Sequence, residues 1–150
     1  MGGWFRLAAA LAAGVAAGPA LACAPTSIYF AWGSAEVAPA GRAALEQLAI
    51  GLAWKGPDLD HVVLTSHTDT SGAPSANRAL ALRRAEAVRA ILLANAVPAE
   101  LIELRPLGEA QSALRTPANV REPANRRVDL LLQMSTRAQG AQLEEGRPIC

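Results

Sequence analysis

The sequence predicts an α+β fold, a two-layer sandwich in which helices cover one face of a β-sheet. Three observations carry this. Short β-branched or alternating apolar runs at residues 27–32, 61–65, 102–107 and 127–134 read as strands. Two long Ala- and Leu-rich stretches, 39–54 and 74–95, separate the first three runs and carry apolar residues at helical spacing. The resulting order, β-α-β-α-β-β, supplies helices that must each bury an apolar stripe, and one sheet face can receive them.

Composition bounds the answer. A chain of 150 residues holds one domain behind a short leader. Its apolar fraction of 51% is inflated by alanine, and aromatics make up only 4%. A net charge of +1 gives no field that would draw nucleic acid or an anionic membrane surface. The arginines cluster locally, so anion recognition is expected from a site rather than from a basic face.

Residues 1–22 read as a secretory signal: Arg6 in a short n-region, an apolar stretch at 7–17, then Ala20-Leu21-Ala22 as a small-residue cleavage site. The stretch is short against the ~20 residues of a membrane-spanning helix, and Gly14, Gly18 and Pro19 interrupt it. Cleavage after Ala22 leaves Cys23 first, with two readings open. Cys23 is lipidated, although Ala20-Leu21-Ala22 fits that pattern poorly and only a ~10 Å tether would precede the first strand. Alternatively Cys23 pairs with Cys150, the other cysteine, in an oxidising compartment, where the chain-entropy model allows up to ~5 kcal/mol.

The first strand, 27–32, ends at a Gly33-Ser34 turn. Pro39 opens the first helix, on which Ala43, Leu45, Leu48, Ala49 and Leu52 fall near helical spacing, and Lys55-Gly56-Pro57-Asp58 stops it. The second strand ends in the polar turn Thr68-Asp69-Thr70-Ser71-Gly72, where Gly72 can adopt positive φ. Pro74 and Ser75 lead into the second helix, which stops near Asn95 ahead of Val97-Pro98. After the third strand, 102–107, a long polar segment at 108–124 suggests function, with one helical turn at 118–121. In the last strand Val128, Leu130, Leu132 and Met134 alternate towards one face, and 135–150 is a polar tail.

One arginine stands out on the second helix. Asn77, Leu80, Arg84, Val88 and Ile91 share a stripe, whereas Arg83, Glu86 and Leu93 point elsewhere and Arg83 is a surface charge. Arg84 sits in the middle of the apolar stripe, where an unpaired guanidinium costs several kcal/mol. It must meet a carboxylate or line a cleft, and Asp69 is the nearest candidate. The pair reads either as a structural bridge or as a site for a zwitterion, carboxylate on Arg84 and ammonium on Asp69.

Catalytic readings find little support. His67-x-Asp69 beside Ser66 lacks the context of a nucleophile elbow. His61 and His67 share a strand face, but no Cys or acidic ligands stand at zinc-binding spacing, so no metal, cofactor or catalytic residue is expected.

Thr68-Asp69-x-x-Gly72 followed by Asn77, Leu80 and Arg83-Arg84-Ala85 resembles the OmpA-like C-terminal peptidoglycan-binding domain, the family of the peptidoglycan-associated lipoprotein and the flagellar stator B protein. Ile28-Tyr29-Phe30 is similar to that family's opening strand and Asn125-Arg126-Arg127-Val128 to its second signature, so the likeness spans 27–134. It implies an OmpA-like domain at 23–134 with a mixed four-stranded sheet, and a non-catalytic role in the periplasm, anchoring the protein to the cell wall. The implied ligand is the diaminopimelate of the peptidoglycan stem peptide. Asp69 would take its ammonium and Arg84 its carboxylate, each charged hydrogen bond contributing ~1.5–3 kcal/mol. Asn77 and the backbone after Phe30 would line the cleft, with Arg126 beside it or in a structural bridge. Association with the outer membrane follows only if Cys23 is lipidated.

One departure matters. Where the family commonly has Phe-Asp-Phe-Asp, this chain has Phe30-Ala31-Trp32-Gly33, without either aspartate. This motivates a second expectation, an interaction module that has lost wall binding and engages another envelope protein through 108–124.

Overall fold

The last strand is the hub of the sheet. In a computed structural model that describes residues 26–55 and 59–134, the elements run β1 (Thr26–Tyr29), α1 (Pro39–Lys55), β2 (Leu59–His67), α2 (Pro74–Ala94), β3 (Ile102–Gly108) and β4 (Arg127–Met134). Short 3₁₀ turns occupy Ala99–Leu101 and Pro123–Asn125. The expected leader 1–22, both cysteines, Gly56-Pro57-Asp58 and the tail 135–150 lie outside the described residues.

The four strands are ordered β1-β4-β2-β3. β4 is antiparallel to both β1 and β2, so those two run the same way with β4 inserted between them. β3 lies parallel to β2, and α2 is the crossover that such a pair requires. The mixed α+β sheet is therefore the one implied by the resemblance.

Alternation along β4 sets the register. Val128 stands opposite both Ile28 and Ser66, and Leu130 opposite both Thr26 and Leu64. Val128 and Leu130 are buried and Leu132 packs against the core from a partly buried position, whereas Leu131 is exposed on the other face. Onto the core face pack Leu45, Ala49 and Leu52 of α1, and Val88, Ile91 and Leu92 of α2. Each fully buried aliphatic side chain contributes about 1.5–3 kcal/mol, an upper figure because unfolded chains already bury part of that area.

Three expectations need correcting. Ala43 is exposed, so the buried stripe of α1 begins at Leu45. The first strand stops at Tyr29; Phe30 still donates its N–H to the Arg126 carbonyl at 2.9 Å, and the chain then turns at Gly33, with φ +68°. The helical turn expected at 118–121 is a simple turn, with Asn119 at φ +62°. The 3₁₀ turn falls instead at Pro123–Asn125, where Pro123 presets φ and the Glu122 carboxylate accepts from the Ala124 N–H at 3.0 Å.

Gly108 closes β3 against the start of α2. It has φ +63°, and a Cβ there would approach the Arg78 nitrogen to 3.2 Å. Only glycine accommodates both constraints without displacing backbone.

Candidate functional site

The polar residues gather at one end of the sheet, where β1 and β2 finish, β4 begins and α2 starts. β4 lies between β1 and β2, so the residue before it, Arg126, is flanked by Phe30 on one side and the turn after His67 on the other.

Arg84 is completely buried, as its place on the apolar stripe requires. Its guanidinium donates to three carbonyls: Nε to Ser34 at 2.9 Å, Nη1 to His67 at 2.9 Å and Nη2 to Ala31 at 3.1 Å. The Phe30 ring lies beneath it, 5.1 Å from Cζ to the centroid. Burial pushes its pKa down to about 10; the neighbouring Asp69 charge acts upwards, while Arg126 and Arg83 act downwards. Of the five N–H donors of a guanidinium, two on the Nη atoms have no acceptor among the described residues.

Asp69 does not bridge to Arg84. Its Oδ2 meets Nη1 of Arg126 at 3.2 Å, and its Oδ1 accepts from the Ser71 hydroxyl at 2.6 Å and the Ser71 N–H at 3.3 Å. The reason is topological: β4 neighbours β2, so the residue entering one strand sits beside the turn leaving the other. α2 instead aims Arg84 at the carbonyls where the strands run out. Arg126 also donates through Nε to the Phe30 carbonyl at 3.1 Å, which makes it both a strand-entry clamp and the partner of the acid.

Asn77, buried in the first turns of α2, donates to the Asp69 carbonyl at 3.2 Å and to the Glu109 carboxylate at 2.7 Å. Phe30, Asp69, Asn77, Arg84 and Arg126 therefore share one cluster. Two guanidiniums, of Arg84 and Arg126, and two carboxylates, of Asp69 and Glu109, meet there, so each charge of a zwitterion would find a counter-charge.

The segment 109–122 is fastened over the same end. Thr70 donates its hydroxyl to the Pro117 carbonyl at 2.6 Å and accepts from the Val120 N–H at 3.2 Å; its carbonyl accepts from the Asn119 N–H at 2.9 Å. The fully buried Asn125 side chain clamps both the N–H and the carbonyl of Leu114, at 2.9 and 2.8 Å.

Sequence reasoning missed three contributors. Ser71 holds Asp69, and the Asp-x-Ser spacing, which favours side-chain-to-backbone turns, was a local signal for it. Glu109 reaches the cluster, and Arg121 the Trp32 ring beside it, only through tertiary contacts, and nothing local marks them. Trp32 donates its indole N–H to the Ser71 hydroxyl at 2.9 Å while Arg121 stacks on its ring, 3.6 Å from Cζ to the centroid.

The two histidines part company. His61 is exposed, whereas His67 is buried with Nδ1 3.2 Å from the Ala110 carbonyl and Nε2 3.6 Å from Asp129. Burial first, and then the Arg127 charge, hold its pKa below the usual imidazole value.

Comparison with known proteins points one way. The sequence is 33% identical to outer membrane protein A of Escherichia coli O157:H7 over 100 residues, 66% of this chain and 29% of that protein. It is 36% identical to the outer-membrane lipoprotein YfiB of Pseudomonas aeruginosa over 75 residues, 50% of this chain and 45% of YfiB. The chain thus spans less than half the length of these curated relatives. Among solved structures, the peptidoglycan-associated lipoprotein from Burkholderia pseudomallei superposes with a TM-score of 0.65 at 32% identity, covering 71% of this chain and 89% of that one. The C-terminal domain of Helicobacter pylori MotB gives a TM-score of 0.66 at 15% identity, over 83% and 98% of the two chains, a likeness of fold. A family model described as the OmpA family matches residues 29–126, about two thirds of the sequence, and with the shared fold this establishes that the chain belongs to the OmpA family.

Proposed function

We propose that this domain binds peptidoglycan non-catalytically through the diaminopimelate of the stem peptide and so anchors the protein to the cell wall. The observation that carries the reading is the cluster of Asp69, Arg84 and Arg126 at one end of the sheet, an acid paired with one guanidinium beside a second, buried one. A zwitterionic amino-acid group matches it. Its ammonium would compete with Arg126 for Asp69, and its carboxylate would take the two Nη donors of Arg84 that the described residues leave unused. Because Arg84 is fully buried beneath the Ala31 and Ser34 carbonyls, that carboxylate reaches it only by displacing part of this loop. Asn77 fixes the Asp69 carbonyl, and Phe30 supplies the apolar floor. Similarity to a peptidoglycan-associated lipoprotein supports the same ligand class.

In this reading the protein is exported by its leader, works in the periplasm at the wall, and reaches the outer membrane only if Cys23 is lipidated. The test is co-sedimentation of the mature chain with purified sacculi, competed by free meso-diaminopimelate. Wild type should pellet and be released by the amino acid, and a folded Asp69→Asn protein should stay in the supernatant. Pelleting of wild type and variant alike, insensitive to the amino acid, would reject the site.

A second reading, an interaction module for another envelope protein, draws on the exposed Leu114 in the 109–122 segment. It predicts no retention on sacculi and a stable protein partner in cross-linked envelopes.

A further inference from the structure

Arg121 is placed unlike the other site arginines. It lies flat on Trp32, 3.6 Å from the ring centroid, and its guanidinium forms no hydrogen bond or ion pair among the described residues. Stacking fixes the plane of a guanidinium but leaves its N–H donors pointing outward along the edges, in the fork that matches a carboxylate. Trp32 in turn cannot swing freely, because its indole N–H is committed to Ser71 at 2.9 Å. Ser71 is the same residue that donates to Asp69 at 2.6 Å, so the stack is joined to the Asp69 site through two consecutive hydrogen bonds.

This arrangement ties two loops together but is not part of the hydrophobic core. Trp32 remains 53% exposed and contributes nothing to the core cluster. A large aromatic ring held rigid at the surface, carrying an unpaired cation beside a cluster already rich in guanidiniums, is preorganised for an anionic group on whatever occupies that cluster.

We propose that the Trp32–Arg121 stack is a second anion subsite, taking the free carboxylate of the residue next to diaminopimelate in the same stem peptide. The inference rests on the stem-peptide reading above. That neighbouring residue is a γ-linked glutamate whose α-carboxylate is either free or amidated, and the subsite selects the free form. Arg121 is the specificity-determining residue, and Trp32 positions it. The missing Phe-Asp-Phe-Asp aspartates make sense in this light, since an acid beside Trp32 would neutralise Arg121 and repel the same carboxylate.

The test is calorimetric titration of the folded domain with three probes: meso-diaminopimelate, the tripeptide L-Ala-γ-D-Glu-meso-diaminopimelate, and its α-amidated counterpart. The acidic tripeptide should bind more tightly than the amidated one by about two- to fivefold, the upper range for an exposed charge pair. Arg121→Gln should erase that difference while leaving diaminopimelate affinity unchanged, and Trp32→Leu should reduce it. Equal binding of the two tripeptides by wild type would overturn the subsite and leave the diaminopimelate site standing. Retention of the full preference in Arg121→Gln would also overturn it. Failure of all three probes to bind would overturn both readings together.

Discussion

Asp69 and Arg126 meet at 3.2 Å across the ends of β2 and β4, both largely shielded from water. They are 57 residues apart in sequence, and only the insertion of β4 beside β2 makes them neighbours. Their contact ties the turn after β2 to the entry of β4, and through the Phe30 carbonyl to the end of β1.

Removing one member of this pair strands the other. Arg126→Ala leaves a shielded carboxylate with Ser71 as its remaining partner and frees the Phe30 carbonyl, so a loss of about 3 kcal/mol is expected. Asp69→Asn keeps an acceptor for Ser71 and should cost less, about 1–2 kcal/mol. Urea unfolding of both variants checks the order. Losses below about 0.5 kcal/mol for Arg126→Ala would place the pair with ordinary surface bridges.

Much of this site could be read from the chain, and the exceptions share one cause. The order of strands and helices, the extent of both helices, the inward aim of Arg84 and the exposure of Arg83 follow from periodicity, a local property. The partner of Asp69 depends on strand order, which periodicity does not contain. Arg84 satisfies itself with carbonyls for the same reason: where strands run out, backbone acceptors are exposed, and no side-chain pattern announces them. Arg121 reaches Trp32 across 89 residues of sequence, beyond any local signal.

Gly108 offers a backbone test. Gly108→Ala combines a φ of +63° with a Cβ 3.2 Å from the Arg78 nitrogen, and both the strand and the helix are fixed by packing. The left-handed conformation alone costs about 1–2 kcal/mol, and the contact adds to it. Thermal unfolding should show a fall in Tm clearly larger than for Gly51→Ala, since a Cβ at Gly51 meets open space.

Asn125 holds the 109–122 segment by bonding both polar groups of Leu114. Asn125→Ala leaves a backbone N–H and carbonyl without their partners, at a cost of about 1–3 kcal/mol. The segment should loosen before the domain unfolds, freeing the backbone at the already exposed Arg115 and Arg121 to enter the trypsin active site. Limited proteolysis followed by mass spectrometry should show early cleavage there in the variant and protection in wild type. Equal cleavage kinetics would mean the Thr70 contacts alone secure the segment.

His67 makes stability depend on pH. Its folded pKa is depressed below the ordinary 6.5 by burial and by Arg127, with the Ala110 carbonyl and Asp129 acting the other way. Below pH 6.5 the unfolded chain therefore takes up a proton that the folded chain resists. The stability contributed is complete above 6.5 and is lost as the pH falls from there towards the folded pKa, with a slope of at most about 1.4 kcal/mol per pH unit. Urea titrations between pH 7.5 and 5 should show this loss in wild type and a flatter profile in His67→Gln. Parallel profiles would assign the slope to the carboxylates.

Arg84 separates structure from binding. Arg84→Met preserves length and apolar packing on Phe30 but abandons three carbonyls. Ala31 and Ser34 lie in a surface loop where water can replace the guanidinium, whereas the His67 carbonyl is deeper. The expected loss is about 2–4 kcal/mol, tempered because the charge no longer has to be buried. Arg84→Lys keeps the charge as a single ammonium that cannot span three divergent acceptors, and it should destabilise comparably. Either variant, provided circular dichroism shows it folded, should lose retention on sacculi, since neither presents two parallel N–H donors to a carboxylate. Full retention by folded Arg84→Met would assign this arginine to holding the β1–α1 loop and nothing more, and would move the ligand's carboxylate to Arg126.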